Sequence, residues 1–351
     1  MKIRIKKTFN LDSTERLNEA KIINGNPSGI VDFLRPSRKW TKSLYDVMEN
    51  NTWFNKEANI GQDKQVFNQL PLEQKEVFLK VLAQLIMNDS IQTDQLVENI
   101  KPFITDPMVG QCLTRQAYEE TNHSKAYATI VEGLMNDKEA ERVYYFQNED
   151  KELMKKDRAI QEMYNSIGTL QESISDKDFM LALAANNILE ANIFYSGFLA
   201  IWSMGKSLIG SAKMISFIER DENTHVTLFK NIFRDTSKEL YGSTNDVPTE
   251  IKKDIRELIE YMTGIEINWS LYVSKNLLGF TNKTVEQYIK SKSNIICDNL
   301  GIDRLYTKIN DGGVLENNLE KVYTMRGSNT KTNFFENKVG DYAKGSLEID
   351  F

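Results

Sequence analysis

The chain has 351 residues, 40% hydrophobic and 27% charged, with a net charge of −6 and a pI near 5.3. That is the composition of a soluble globular protein, and its acidic balance argues against nucleic acid as the main partner, since phosphate binding calls for a basic face. The two cysteines, Cys112 and Cys297, stand far apart and form no Cys-x-x-Cys, so two reduced, buried thiols in a reducing, cytoplasmic compartment are expected.

In chain order, MKIRIKKTFNLDSTERLNEAK starts charged and turns polar without an apolar run, so it is not a secretory signal. Its first seven residues carry the clearest strand-like alternation of the chain. Residues 1–35, with the loop NGNPSG, read as a loosely structured N-terminal extension. From residue 36 to about 300, prolines open helices rather than break strands. Pro71 precedes a helix running past Leu96. Asp106 is placed to cap a helix with Pro107 at its first position, uninterrupted to about Leu134. Residues 138–172 are charged and periodic and predict one or two exposed helices. Ser175 or Asp176 caps a segment reaching about Met204. It is the most apolar of the chain, yet it carries Asn186, Asn187, Glu190 and Asn192, so a buried helix is expected rather than a membrane span. Further helices are predicted from about Ser207 to Arg234, and from Pro248 to about Leu278. Residues 301–325 read as a connecting segment, and 326–351, RGSNTKTNFFENKVGDYAKGSLEIDF, as a flexible tail with an aromatic, acidic end. Helices of roughly 25–30 residues, against an average of about 11–12, with broad apolar faces predict an all-α fold: a large helical bundle.

The chain has only two histidines, and both lie in Glu-x-x-His: Glu120 with His123, and Glu222 with His225. Positions i and i+3 share a helix face. One such pair is weak evidence, because an exposed ion pair has the same spacing. Two pairs that use every histidine arise by chance at roughly the one-in-a-hundred level. Ile215, Ile218, Glu222, His225 and Phe229 also form one stripe, which puts the second pair on an apolar face. A buried carboxylate is costly unless paired or bound to metal. Two metals facing two such helices ask for further carboxylates, and two apolar stripes supply them: Phe78, Leu82, Leu85, Asp89, and Phe179, Leu183, Glu190, Phe194. The set is Asp89, Glu120, His123, Glu190, Glu222 and His225. Oxygen-rich ligands with one imidazole per metal suit iron or manganese. Tyr127 follows His123 by one turn. It is the nearest oxidisable side chain on that face, and Phe194, Phe198 and Ile218 are placed to screen it from water. Ordinary core packing is the bland reading of all four.

Over about residues 40–300 these motifs resemble the small, radical-generating subunit of class I ribonucleotide reductase. The resemblance implies a ferritin-like helical bundle, a homodimer, and a dinuclear metal centre that oxidises a tyrosine to a stable radical. The radical passes reversibly to a cysteine of a separate large subunit, where ribonucleotides become deoxyribonucleotides. Asp89 in NDSIQ matches the family's first aspartate ligand. Glu120, His123 and Tyr127 in EETNHSKAY match its first Glu-x-x-His with the tyrosine. Glu190, Phe194 and Phe198 match LEANIFYSGF, and Arg220, Asp221, Glu222 and His225 match RDENTH. By the same resemblance, Glu120 and Glu222 bridge the metals. The electron route runs from His123 through Asp221 to Trp53, a tryptophan near the surface. Tyr342, in TNFFENKVGDY, relays the radical across the subunit interface, and the terminal EIDF docks on the large subunit. Two features depart from the family pattern: only nine residues follow Tyr342, and no Asn-Pro-x-Pro-Trp precedes the tail. Two irons are the leading expectation for the metal, with dimanganese or manganese–iron as alternatives and a flavoprotein activator as a further partner. The competing functional readings are a ferritin-like dinuclear oxidase or monooxygenase, and a non-enzymatic iron store or metal-free scaffold.

Overall fold

The computed structural model describes residues 1–165, 172–275, 277 and 280–309. Among them the chain is almost wholly helical. The helices are α1 (Lys39–Asn50), α2 (Lys64–Gln69), α3 (Leu72–Gln95), α4 (Pro107–Leu134), α5 (Asp137–Tyr145), α6 (Lys151–Asn165), α7 (Asp176–Ile188), α8 (Tyr195–Ser203), α9 (Ile209–Tyr241), α10 (Thr249–Ser274) and α11 (Asn282–Leu300). The sheet among these residues is two short antiparallel strands, β1 (Lys2–Arg4) and β2 (Ser173–Ser175), with Ile3 opposite Ile174. The expected all-α bundle of long helices is the fold observed. No helix among the described residues is long and apolar enough to cross a membrane.

Helix boundaries follow local chemistry. The Asp106 carboxylate accepts from the N–H groups of Met108 (2.8 Å) and Val109 (3.2 Å), with Pro107 at the first position of α4. Ser175 Oγ accepts from the Asp178 N–H at 3.0 Å and starts α7. Pro71 and Pro248 stand one residue ahead of α3 and α10 rather than inside them. α9 runs past its expected end near Arg234, because no breaker occurs until Gly242 takes φ +96°.

Two predicted helices are not continuous. α3 gives way to a π-helical turn at Leu96–Ile100. The segment expected to run from Ser175 to about Met204 is broken by a second π-helical turn at Leu189–Ile193, which carries Glu190. The expectation of exposed helices over 138–172 also needs amending. α6 buries Leu153, Ala159, Ile160 and Met163, and with them Lys156, which is 1% exposed.

Residues 1–35 have little regular structure, yet they are tied to the bundle. Glu239 of α9 accepts from the Ile22 N–H at 2.8 Å, and the Thr105 N–H donates to Ile22 O at 2.8 Å. At the centre, α3, α4, α7, α8 and α9 pack against one another, with α10 backed by α6 and α11. Cys112 and Cys297 are buried free thiols.

Candidate metal centre

Asp89 on α3, Glu120 and His123 on α4, Glu190 on the π-turn, and Glu222 and His225 on α9 all have zero exposure and meet in the bundle core. They form two overlapping groups able to hold a metal ion: Asp89, Glu120, His123 and Glu222, and Glu120, Glu190, Glu222 and His225. In each group the ligand atoms lie within 4.8 Å of one another, and Glu120 and Glu222 belong to both. The imidazoles occupy equivalent places. His123 Nδ1 lies 3.2 Å from Glu222, 3.4 Å from Glu120 and 3.7 Å from Asp89. His225 Nδ1 lies 2.8 Å from Glu222, 3.2 Å from Glu120 and 3.7 Å from Glu190.

The donor set fits a pair of divalent ions. Both Asp89 oxygens, Glu120 Oε2, Glu190 Oε2, Glu222 Oε1 and His123 Nδ1 are buried without a hydrogen-bond partner. Buried polar atoms are almost always satisfied, so this many orphans converging on one spot ask for cations.

The outward nitrogens are held crosswise. His123 Nε2 of α4 lies 3.1 Å from Asp221 Oδ2 of α9, and His225 Nε2 of α9 lies 2.9 Å from Glu119 Oε2 of α4. Such contacts fix ring orientation and ligand basicity. Trp53 Nε1 donates to Asp221 Oδ2 at 2.7 Å, and its ring stacks on His123 with centroids 6.3 Å apart. Arg115 Nε donates to Glu119 Oε1 at 2.9 Å. Gln116 donates to Glu190 Oε1 at 2.7 Å, Gln92 donates to the same oxygen, and Tyr164 Oη donates to Gln92 Oε1 at 3.0 Å.

Glu119, Gln92, Gln116 and Tyr164 were not among the residues drawn from the sequence. A signal for Glu119 exists: Glu119 and Asp221 each precede a histidine by four residues, in EETNH and DENTH. Gln92 carries a weaker one, three residues after Asp89 on the same face.

Without metal, the charges settle among the six groups. Burial raises the Asp89 and Glu190 carboxyls well above their ordinary range, and the Glu120 and Glu222 charges help to raise both. Burial also works against ionisation of Glu120 and Glu222, but the imidazoliums outweigh it and hold both below the usual range. Burial opposes protonation of His123, and the Asp221, Asp89, Glu120 and Glu222 carboxyls overcome it. His225 is likewise raised, chiefly by Glu120 and Glu222 against burial.

Tyr127, Phe194, Phe198 and Ile218 all have zero exposure and belong to one continuous hydrophobic core. The Phe194 and Phe198 rings stack with centroids 5.8 Å apart. Tyr127 Oη has no hydrogen-bond partner, and burial, then the charges of Asp89, Glu222 and Glu120, push its pKa well up. Trp53 is 3% exposed in this chain, so the tryptophan expected near the surface is a buried one; its neighbour Phe54 is 57% exposed. Tyr342 and the EIDF end lie outside the described residues.

Residues 31–311 match the family "Ribonucleotide reductase, small chain". The chain belongs to that family. A ribonucleoside-diphosphate reductase subunit beta of Treponema pallidum is 31% identical over 350 residues, covering 97% of this chain and 96% of that one. The ribonucleotide reductase R2 subunit of Clostridium botulinum superposes with a TM-score of 0.83 at 27% identity, covering 91% of this chain and 99% of that one. The dimanganese(II)-NrdF of Streptococcus sanguinis shares the fold, with a TM-score of 0.70 at 20% identity over 83% of this chain and 98% of its own. A dinuclear metal site fits the two overlapping groups of buried carboxylates and histidines.

Proposed function

We propose that this chain is the radical-generating subunit of a class I ribonucleoside-diphosphate reductase, with Asp89, Glu120, His123, Glu190, Glu222 and His225 as ligands and Tyr127 as the residue oxidised. The observation that carries this reading is the pair of four-ligand groups sharing Glu120 and Glu222, with a buried, unpartnered phenol one turn beyond His123. Asp89 and His123 would hold one ion and Glu190 and His225 the other, with Glu120 and Glu222 common to both groups. Iron in both places is the first choice, with two manganese or one of each as alternatives.

When bound, the reduced metal pair supplies the electrons that activate an oxidant and then draws one electron from a neighbouring side chain. Tyr127 gives up that electron together with its phenolic proton. Among the charged groups, the Asp89 carboxyl bears on the phenol most strongly. Phe194, Phe198 and Ile218 keep water from the radical. His123, Asp221 and Trp53 form an unbroken hydrogen-bonded chain leading away from the metals, at 3.1 and 2.7 Å. It supports the route by which the radical leaves, completed by Tyr342 in the tail. The partners are a second copy of this chain, the large catalytic subunit docked through EIDF and, for a manganese form, a flavoprotein supplying the oxidant. The setting is the cytoplasm, where Cys112 and Cys297 stay reduced.

Electron paramagnetic resonance on protein reconstituted with ferrous iron and dioxygen, or with manganese and a flavoprotein-derived oxidant, tests the reading. A tyrosyl radical is expected in the parent and none in Tyr127→Phe, with two metals per chain in both. Deoxynucleotide formation with the large subunit surviving that substitution would overturn it.

A further inference from the structure

The helix bearing Glu190 breaks at a specific carbonyl. In an undisturbed α-helix the Gly197 N–H would bond Ile193 O, four residues back. Here the N–H groups of Gly197 (3.0 Å) and Phe198 (3.2 Å) both go to Phe194 O. Ile193 O is therefore left out of the ladder at a residue with zero exposure, where no water can replace the donor. Two side chains from other helices take its place. Gln84 of α3 donates from Nε2 at 2.9 Å, and Lys156 of α6 donates from Nζ at 3.2 Å.

Both donors are themselves fixed by α10. Trp269 Nε1 donates to Gln84 Oε1 at 2.5 Å. Glu266, with zero exposure, faces Lys156 Nζ at 2.6 Å, and Ser270 Oγ donates to its other oxygen at 3.3 Å. The Lys156 ammonium also lies 5.5 Å from the centre of the Trp269 ring. A buried ion pair is a poor stabiliser compared with apolar packing, so its location needs a reason other than stability. Nothing in the metal chemistry above uses Lys156 or Glu266. Glu266 holds Lys156, and Lys156 meets Gln84 at the carbonyl that the π-turn sets free.

A π-turn holds one extra residue, which rotates the helix on its N-terminal side by about 100° relative to the helix on its C-terminal side. It lets Glu190 face the carboxylate cluster while Phe194 and Phe198 stay in the hydrophobic core to which Tyr127 also belongs. Building on the ligand assignment above, we propose that Lys156 is a positioning residue. With Gln84, and with Glu266 as counter-charge, it holds the Leu189–Ile193 turn in π register and so aims Glu190 at the metal bound by His225. Removing the pair lets the Gly197 N–H return to Ile193 O, and Glu190 swings off its metal while Asp89 and His123 stay in place.

The test uses the full chain and manganese(II) alone. The parent should bind two ions, and failure to do so would count against the ligand assignment itself rather than this proposal. In the double variant Lys156→Met with Glu266→Gln, which leaves no unpaired buried charge, one ion should bind tenfold to a hundredfold more weakly and the other within threefold of the parent. Anomalous scattering from crystals of the loaded variant should assign the weakened place to Glu190 and His225. Parent-like binding at both places, equal weakening at both, or weakening at Asp89 and His123 overturns the proposal. If the double variant does not fold, Gln84→Leu, which leaves the ion pair intact, is measured in the same way, with the same direction of split expected and the same outcomes decisive.

Discussion

The Glu119 carboxylate, on α4, meets Nε2 of His225, on α9, at 2.9 Å, and turns its other oxygen to Arg115. Asp221 on α9 does the same service for His123 on α4. Each helix thus supplies the outer support for the other's histidine. Glu119→Ala should weaken metal binding about 10- to 100-fold at the place served by His225, and Asp221→Ala should do so at the place served by His123. A competitive chelator titration measures both. Equal losses at both places in either variant would contradict the crosswise arrangement.

Shared and unshared ligands should behave differently. Glu222→Ala removes a carboxylate common to both groups, so metal content should fall from two toward none. Asp89→Ala or Glu190→Ala removes a ligand from one group only and should leave about one ion per chain. Elemental analysis after gel filtration in the presence of excess metal separates these cases.

Metal loading should be a proton-releasing event. In the metal-free protein His123, His225, Asp89 and Glu190 each hold a proton more tightly than the free side chain does, because carboxylates surround the imidazoles and burial disfavours the charged carboxyls. Ligands must shed protons to bind metal. Loading divalent ions in weak buffer with an indicator dye should acidify the solution, and metal affinity should fall as pH is lowered. An absence of proton release would show that these groups were already deprotonated.

Asp157 gives a pH dependence away from the metals. Burial pushes its carboxyl up to about 7; Lys156 opposes this and Asp150 adds to it. Neither of its oxygens has a hydrogen-bond partner. The folded state therefore binds this proton more tightly than the unfolded chain does. Stability is lost as pH rises from about 4, and the loss is complete above about 7. Asp157→Asn should be more stable than the parent by about 2–4 kcal/mol at pH 8, with the gap closing toward pH 4. Urea unfolding at the two pH values decides it; a gap independent of pH would refute the assignment.

Two glycines in long helices should respond oppositely to alanine. A Cβ on Gly210 would sit 2.3 Å from the Asn59 backbone oxygen, where α9 begins against the segment that Asp63 ties to it. Gly210→Ala should cost about 3 kcal/mol. Gly264, on the exposed face of α10, has nothing within 4 Å, so Gly264→Ala should add about 0.5–1 kcal/mol. Chemical denaturation compares both with the parent.

Much of this was legible in the sequence because the decisive signals are local and periodic. Pro107 behind Asp106 marks a helix start whatever lies around it. Glu120 with His123, and Glu222 with His225, share a face by helix geometry alone. What was hidden depends on neighbours. The π-turn at Leu189–Ile193 leaves no mark in LEANI, because the donors that serve its stray carbonyl, Gln84 and Lys156, come from helices far away in the chain. Lys156 sits in a stretch whose charge predicted exposure, and its burial is made tolerable by Glu266 on α10 and by the Ile193 carbonyl. Glu119 carries no signal of its own. Its role appears only when the offset to His123 is compared with that of Asp221 to His225.

The charge inventory of the metal-free cluster bears on when the cofactor can arrive. Burial and neighbouring charges make Asp89, Glu190 and both histidines hold protons more tightly, and those protons offset negative charge that metal would otherwise offset. The bundle can therefore finish folding before any metal is at hand, without burying the full mutual repulsion of four carboxylates. Synthesis of the subunit and its activation become separate events. The chain can wait as a completed, inert precursor, and the supply of metal sets the moment at which it becomes competent.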